Sequence, residues 1–469
     1  MSIWQRLLFV LPIITTAGAC VSEDDIASGD DAALAETDQG LYVDGDHTWP
    51  RPARIPVCFE PNEPGTGTAR QWTRDAVASA WSRVAHINFY GWGLCTSSSR
   101  GIRIRWADEN PRTSGLGTEL DGDSGGMTLN YKFATWSPSC ATTREFCIKA
   151  IAVHEFGHAL GFAHEQNRPD TPGWCDQEQG SDGTFTIGPW DRSSIMNYCS
   201  VDWNNNGMLS NGDIAGVQKV YGRKPVGSIT VASGRCLDLR GGTYDDGTTV
   251  QVYDCVQQMN ERFHYDQFSR ELETYEHAYK VLAAPGEPDG TFPVKLATAN
   301  GSAGQKFDFT NVQLLGDGGR CVDVPSGTTV PGTQVQSYPC NGGTNQRFTY
   351  NASRELRTPT GMCLGFSNST LGAPLQIQKC TGSSLQHFQF QHGGLIKNDA
   401  SSLCVAPNAT RQLYAGNCTT SDNARLFSLR GPIHAIYGLC MEASGMTTGN
   451  ITYLNNCTGL ANQELEYYP

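Results

Sequence analysis

The stretch "HEFGHALGFAHEQNRPD", residues 154–170, decides how the first half of the chain is interpreted. Three of the ten histidines in the sequence lie here, at positions 154, 158 and 164. Residues four apart face the same side of a helix, so His154 and His158 present two imidazoles to one point. Glu155 is next in sequence and lies beside that point. The spacing therefore predicts a helix that binds a metal ion.

The third histidine restricts the shape of the chain after that helix. If the helix continued to His164, six more residues would carry the chain about 9 Å along the axis, whereas zinc–nitrogen bonds are only about 2 Å long. The helix must therefore end and turn back, and Gly161 is free to take the left-handed conformation that such a turn needs. We expect one Zn²⁺ per chain, bound by His154, His158 and His164, with a fourth position left for water.

These residues resemble the metzincin metallopeptidases. Met196 in "SIMNY", residues 194–198, is similar to the methionine turn that lies beneath the metal in that group. "HEQNRPD" together with "SIMNY" resembles the astacin branch, although Asn197 replaces a histidine of that pattern. The resemblance implies that Glu155 is the general base and that Tyr198 is a catalytic tyrosine next to the zinc.

The start of the domain also resembles astacins. "HTWPRPARIPVCFE", residues 47–60, is similar to their first strand, and "LYVDGDH" precedes it. Astacin pro-segments carry a motif whose aspartate caps the zinc, and the likeness points to Asp46 as a zymogen switch. An Asp-Gly-Asp turn on an acidic tether is the alternative. With a switch, cleavage follows shortly after Asp46, and the new amino terminus pairs with Glu165.

Other elements of the first half follow from apolar spacing. Residues 68–87 predict an amphipathic helix, and "GIRIRWADE", residues 101–109, predicts a strand. "GMTLNYKF", residues 126–133, is either an edge strand that pairs with a peptide substrate or a buried, paired strand. Residues 209–222 predict a closing helix with Ser210 as N-cap, followed by a linker, "RKPVG".

After residue 225 helical patterns end and a repeat appears. Six segments end on an apolar anchor, at intervals of 38 to 44 residues: Phe263, Phe307, Phe348, Phe388, Leu426 and Leu465. Short strands with one anchor cannot bury an apolar face alone, but three such units can close around a pseudo-threefold axis. The repeats resemble ricin-type lectins, with phenylalanine or leucine for the tryptophan of their Q-x-W motif.

The predicted fold is thus an α+β metzincin-type catalytic domain followed by an all-β region of two β-trefoils. The expected domains are a signal peptide (1–19), an acidic tether or pro-segment (20–46), the astacin-like domain (47–222), a first trefoil (223–350) and a second trefoil (351–469).

The resemblance to ricin-type repeats implies two carbohydrate sites, both in the first trefoil. A competent site combines an aspartate, an aromatic ring and planar amides. The third repeat keeps the full set, namely Asp323, Gln336, Tyr338, Asn345 and Gln346. The first repeat keeps Asp238, Gln251, Tyr253 and Asn260, but has Glu261 for the glutamine.

Export is predicted from the amino terminus and the cysteines. Arg6, an apolar run and small residues form a secretory signal, and "AGAC" resembles a lipobox that would attach lipid to Cys20. The other 16 of 17 cysteines predict disulfides in an exported chain. Their spacing suggests eight pairs: Cys58–Cys95, Cys140–Cys147, Cys175–Cys199, Cys236–Cys255, Cys321–Cys340, Cys363–Cys380, Cys404–Cys418 and Cys440–Cys457.

We therefore expect an exported zinc endopeptidase, secreted or anchored at the surface through Cys20, which acts on proteins or peptides and binds carbohydrate. A net charge of −13 argues against nucleic acid as a partner. Two alternatives stay open: a surface lectin with a vestigial zinc domain, and a zinc amidase that acts on cell-wall peptides.

Overall fold

The computed structural model describes residues 40–61, 66–175, 178–284, 291–419, 423–435 and 438–469. The predicted signal peptide, Cys20 and the tether up to residue 39 lie outside the described residues. Within the described ranges, no helix has the length and apolar character needed to cross a bilayer.

Within the described residues, the first half combines a five-stranded sheet, a separate two-stranded sheet and four α-helices. Its strands are β1 (Leu41–Val43), β2 (Ala53–Phe59), β3 (Ile87–Leu94), β4 (Ile102–Trp106), β5 (Arg112–Thr113), β6 (Met127–Leu129) and β7 (Phe185–Ile187). Its helices are α1 (Gly67–Ser79), α2 (Trp81–Val84), α3 (Arg144–Ala159) and α4 (Asn211–Tyr221). Five strands form a sheet in the order β3-β2-β4-β6-β5, and β1 pairs separately with β7.

Helix α3 lies in the apolar core of this half. From Cys147 to Ala159 nearly every residue is buried, and Trp81 of α2 donates from its indole nitrogen to the carbonyl of Val153, 2.8 Å away. Helix α4 begins at the predicted N-cap, because the Ser210 hydroxyl accepts from the backbone of Asp213. The predicted helix over residues 68–87 is divided, since Ala80 has non-helical dihedral angles between α1 and α2.

The structure corrects one alternative for residues 126–133. Strand β6 is buried and pairs with β4 on one side and β5 on the other, so it is not an edge strand. The edge of the sheet on this side is β5, which has only two residues, Arg112 and Thr113.

The second half consists of short strands. Repeats one and two contain β8 (Ile229–Val231), β9 (Cys236–Leu239), β10 (Val250–Tyr253), β11 (Phe263–Asp266), β12 (Glu271–Thr274), β13 (Lys280–Ala283), β14 (Phe292–Pro293) and β15 (Lys295–Thr298). Strand β16 (Asp308–Gly316) joins repeats two and three. Repeats three and four contain β17 (Arg320–Asp323), β18 (Gln336–Pro339), β19 (Phe348–Tyr350), β20 (Leu356–Arg357), β21 (Cys363–Phe366), β22 (Leu375–Gln378) and β23 (Phe388–Phe390). Repeats five and six contain β24 (Ile396–Asn398), β25 (Cys404–Pro407), β26 (Leu413–Gly416), β27 (Ser428–Gly431), β28 (Ile433–His434), β29 (Leu439–Ala443), β30 (Thr452–Asn456) and β31 (Leu465–Tyr467).

The predicted anchors lie in the core of this half, with one exception. Phe263, Phe307, Phe348, Phe388 and Leu465 are fully buried, as the repeat pattern requires. Leu426 is only half-buried, and its neighbour Phe427 is buried in the fifth repeat instead.

Strand pairing divides the six repeats differently from the predicted boundary at residue 350. The last strand, β31, pairs with the first, β8, and the end of repeat two pairs with the start of repeat six through Phe309 and Ile433. The hairpins of repeats one, two and six also contact one another. We call these three repeats the outer ring.

Repeats three, four and five close among themselves. The start of repeat three pairs with the end of repeat five, since Leu314 lies opposite Leu429, and the hairpins of these three repeats meet at Gln334, Gln376 and Gln412. We call them the inner ring. The inner ring is therefore inserted between the second and sixth repeats of the outer ring, and the predicted division into 223–350 and 351–469 is wrong for the strand pairing.

All eight predicted disulfide pairs are present in the structure. Three cross-link the first half, and one closes each repeat except the second, which contains no cysteine.

The predicted linker after α4 is packed between the two halves. Lys224 is buried, and its ammonium lies 2.6 Å from a carboxylate oxygen of Glu273 in the second repeat. The buried rings of His86 and His264 meet edge to face beside this pair, with centroids 5.7 Å apart. Burial raises the pKa of Glu273 to about 7, although the Lys224 charge opposes the shift.

Candidate functional site

The structure brings the three predicted metal ligands together. The Nε2 atom of His164 lies 3.3 Å from that of His154 and 3.1 Å from that of His158. All three side chains are buried. Three ring nitrogens at this separation, directed at one point, match the donor set of a zinc site.

The opposite ring nitrogens fix the orientation of each imidazole. The Nδ1 atoms of His154, His158 and His164 lie 2.8, 2.8 and 2.7 Å from the backbone carbonyls of Ile195, Phe162 and Gln179, respectively. A carbonyl only accepts, so each Nδ1 carries the proton and each Nε2 keeps a free lone pair for a metal. Burial lowers the pKa of His154 to about 3 and also lowers the pKa of the other two, which keeps all three rings neutral.

The chain reverses where the sequence predicts. Helix α3 ends at Ala159, and Gly161 has a φ of +90°, in the left-handed region that glycine tolerates. The backbone of Phe162 donates to the carbonyl of Gly157 at 3.0 Å. This turn brings His164 back to the face of α3 that carries the other two histidines.

Met196 lies beneath the histidine helix. It is fully buried, and a Cβ at Gly157 would approach its sulfur to 2.3 Å. Glycine at position 157 therefore permits the close packing of the methionine turn against α3. The backbone carbonyl of Met196 also accepts from the amide of Glu165 at 2.9 Å, which links this turn to the third histidine.

Glu155 lines the same cleft as His154. Its side chain is buried, and its Oε2 atom has no hydrogen-bond partner. Burial raises the pKa of this carboxyl to about 8, and the charge of Arg112 opposes the shift. A buried oxygen without a partner, in a cleft that His154 also lines, fits a site that would hold a further polar group next to the histidines.

Tyr198 lies across the histidines. Its ring stacks on that of His154 with centroids 5.4 Å apart and lies 4.4 Å from that of His164. Burial raises the pKa of its hydroxyl, which stays protonated. The backbone amide of Tyr198 donates to the side chain of Gln166 at 3.0 Å.

A cleft of about 350 Å³ opens at this point. His154, Glu155 and Tyr198 form part of its wall. Trp136 and Trp203 add aromatic surface, and Asn110 and Pro111, which precede the edge strand β5, form another side.

Asp46 does not join the histidine cluster. It is exposed in a short 3₁₀ turn, and its carboxylate is not among the ligand atoms that lie within 4.8 Å of one another. The neighbouring Asp44 is the buried carboxylate, and it lies 2.6 Å from Nδ1 of His47. Glu165, the predicted partner of a new amino terminus, is fully buried and lies 3.4 Å from Nε of Arg168.

The polar residues predicted for the third repeat form one network. One carboxylate oxygen of Asp323 accepts from Gln336 at 2.9 Å, and the other accepts from Asn345 at 2.7 Å and Gln346 at 3.1 Å. The ring of Tyr338 is 47% exposed, so its face is available for stacking.

The first repeat forms a related network. Asp238 accepts from Gln251 at 2.7 Å and from Asn260, and Tyr253 is 40% exposed. Glu261 differs from its counterpart Gln346, because its carboxylate accepts only backbone amides. Burial, and then the charge of Glu261, raise the pKa of Asp238.

Three kinds of contributor to these sites are not apparent from the sequence. Backbone carbonyls that orient the histidines carry no residue-type signal. Arg112, whose charge acts on Glu155, belongs to a strand too short to be recognised from a pattern. Arg240 donates to the side-chain oxygen of Gln251 at 2.9 Å, and only its position two residues after Asp238 could have indicated it.

Comparisons with known proteins match each half of the chain to a different family. Residues 142–181 match the family model of the astacin peptidases, and residues 309–427 match that of the ricin-type β-trefoil lectin domain. The second match spans the inner ring.

Individual relatives cover only parts of the chain. It is 29% identical to flavastacin of Elizabethkingia meningoseptica, over 24% of this chain and 34% of that protein. It is 21% identical to nigrin b of Sambucus nigra, over 43% of this chain and 40% of that protein. The chain thus spans well under half the length of these curated relatives. A solved structure of myroilysin is 23% identical with a TM-score of 0.29, and the match covers 38% of this chain and 97% of that one. The predicted resemblances are confirmed: part of the first half is similar to the astacin peptidases, and part of the second half is similar to the ricin-type β-trefoil lectin domain.

Proposed function

We propose that this protein is an exported zinc-dependent endopeptidase, and that its second half binds carbohydrate and so keeps the enzyme near it. One observation carries the proposal: three neutral imidazoles converge through their Nε2 atoms, at a cleft that also contains a buried carboxyl group with an unpartnered oxygen. His154, His158 and His164 would bind one Zn²⁺ per chain. When bound, zinc supplies a Lewis acid for the scissile carbonyl and a water of lowered pKa.

Glu155 and Tyr198 would carry out the remaining chemical steps. Glu155 accepts the proton of the attacking water at Oε2 and then delivers it to the leaving amine. A carboxyl whose pKa lies near neutrality suits both steps. Tyr198, whose ring stacks on His154 and whose hydroxyl stays protonated, would donate a hydrogen bond to the oxyanion.

The cleft favours an extended peptide as substrate. Strand β5 is the edge of the sheet, and the residues before it line the cleft beside Glu155. A substrate backbone can therefore add to this edge as a further strand. Trp136 and Trp203 offer apolar surface for side chains of the substrate.

For the second half we propose two β-trefoils, one from each ring, with one carbohydrate site in each. Asp323, Gln336, Tyr338, Asn345 and Gln346 would form the site of the inner ring. Asp238, Gln251, Tyr253 and Asn260 would form the site of the outer ring. Each set combines a hydrogen-bonded aspartate with an exposed tyrosine ring.

Export is supported by the eight disulfides, which persist in oxidising compartments. A signal peptide over residues 1–19 and a lipid anchor at Cys20 stay predictions from the sequence.

The proposal is tested on the purified protein by zinc analysis, by two hydrolysis assays and by one carbohydrate-binding assay. We expect one zinc per chain and hydrolysis of casein that stops when a chelator is added and returns with Zn²⁺. Binding on a glycan array without hydrolysis would identify a lectin with a vestigial zinc domain. Release of peptides from cell walls, with casein left intact, would identify an amidase.

A further inference from the structure

We propose that residues 41–49, here called the strap, form a permanent positioning element for His164 rather than part of a removable pro-segment. The inference rests on the proposed zinc function, since it concerns how the third ligand is held. It replaces the expectation that cleavage follows Asp46.

The strap is hydrogen-bonded directly to the turn that returns His164. The carbonyl of Tyr42 accepts from the amide of Ala163 at 2.8 Å, and the amide of Asp44 donates to the carbonyl of Gly161 at 2.8 Å. Val43 lies between these two and forms an antiparallel bridge with Phe162. The strap therefore pairs with every residue from the turn glycine to the neighbour of the ligand.

The strap also contacts the segment that orients the His164 ring. Strand β1 pairs with β7, the carbonyl of Val43 accepts from the amide of Thr184 at 2.7 Å, and the amide of Gly45 donates to the Thr184 hydroxyl at 2.9 Å. Five residues before Thr184, the carbonyl of Gln179 accepts from Nδ1 of His164. One segment thus holds both the backbone that carries the ligand and the loop that orients its ring.

The burial of the strap is that of a core element. Leu41 and Val43 are 0% exposed, and Leu41 packs against Gly216 of α4. Trp49 is buried, and its indole nitrogen donates to the carbonyl of Ala159, the last residue of α3, at 2.8 Å. Cutting after Asp46 and releasing the upstream piece would remove Leu41 and Val43 from the core and leave the amide of Ala163 and the carbonyl of Gly161 without partners.

The position of processing follows from this packing. A Cβ at Gly40 would lie 1.4 Å from the carbonyl oxygen of Ile187, so the chain is still in close contact with β7 at this residue. Cleavage that preserves the zinc site must therefore occur upstream of Leu41.

A pair of variants at one position isolates the contact with the turn. Asp44→Pro removes the amide that donates to Gly161, at a residue whose φ of −84° proline tolerates. Asp44→Ala keeps that amide and removes only the carboxylate. We expect Asp44→Pro to bind zinc about 10–100-fold more weakly than Asp44→Ala in chelator competition. The visible spectrum of the cobalt-substituted protein should change only in the proline variant.

Each result has a defined meaning. Equal zinc affinity and equal cobalt spectra in two folded variants would overturn the inference and leave the proposed function intact. Failure of the parent protein to bind zinc would instead remove the proposed function. Mass spectrometry of the zinc-loaded processed protein should find its amino terminus upstream of Leu41. A terminus at or beyond His47 with undiminished zinc affinity would also overturn the inference.

Discussion

Replacing Glu155 by glutamine should lower activity and raise the stability of the metal-free protein. Glutamine has almost the same shape, so the buried position stays filled. It cannot accept the proton of the attacking water, and loss of a general base reduces kcat by about 10²–10⁴-fold. It also carries no charge, so it removes the cost of ionising a carboxyl inside the protein.

The size of the stability gain follows from the pKa of Glu155. Burial raises this pKa from 4.5 to about 8 in the folded state. Between these values the folded protein keeps a proton that the unfolded chain releases, so the stability of the parent falls as pH rises. The slope is about 1.4 kcal/mol per pH unit for one proton. From about pH 5.5 to about pH 7.5, Glu155→Gln should therefore gain about 3 kcal/mol relative to the parent.

Denaturant unfolding of both proteins in a chelator, at these two pH values, measures the gain. Because the chain has two halves, the transition of the first half is followed through the tryptophans that surround α3. The reasoning about burial is refuted if the difference between the two proteins does not change with pH. The assignment of the base is refuted if the zinc-loaded variant hydrolyses peptides as fast as the parent.

Three further predictions concern other residues. Tyr198→Phe keeps the ring on His154 and loses the hydroxyl, so kcat should fall about 100-fold with zinc affinity and KM unchanged; an equal kcat would remove the tyrosine from the reaction. Asp323→Ala should abolish one of two carbohydrate-binding events in calorimetry and leave the other, whereas Asp238→Ala should do the reverse; loss of both events in either variant would contradict independent sites. Lys224→Met leaves Glu273 buried without its cation and should cost about 3 kcal/mol of unfolding free energy, which a second change of Glu273 to leucine should largely restore; an additive loss in the double variant would show that the two residues do not interact.

The clustering of the three histidines was predictable, because it depends only on residues that are close together in the sequence. The four-residue interval on a helix and the glycine before His164 determine the geometry of three ligands within eleven residues. The disulfides were predictable because most of them join neighbouring strands of one repeat. In both cases the residue types and their spacing are enough to indicate which side chains come together.

The grouping of the repeats into an inner and an outer ring was not predictable, because the six repeats have nearly equal lengths and similar anchor residues. Any three consecutive units satisfy the same apolar pattern, and the choice is made by pairings such as Leu314 with Leu429, far apart in sequence. The role of the strap was hidden for a different reason. Its contacts with Gly161 and Ala163 are made by backbone atoms, so Tyr42 and Asp44 carry no side-chain signal for them.

The insertion of one ring into the other sets an order in which the repeats complete their folds. During synthesis, repeats three, four and five can close their ring before repeat six is made. Repeats one and two can close theirs only after repeat six has been made. A chain that is cut or stops after the fifth repeat would keep the hydrogen-bond network around Asp323 and lose the strand pairings that close the outer ring, which carries Asp238. Of the two proposed carbohydrate sites, such a shortened molecule would keep only the one at Asp323.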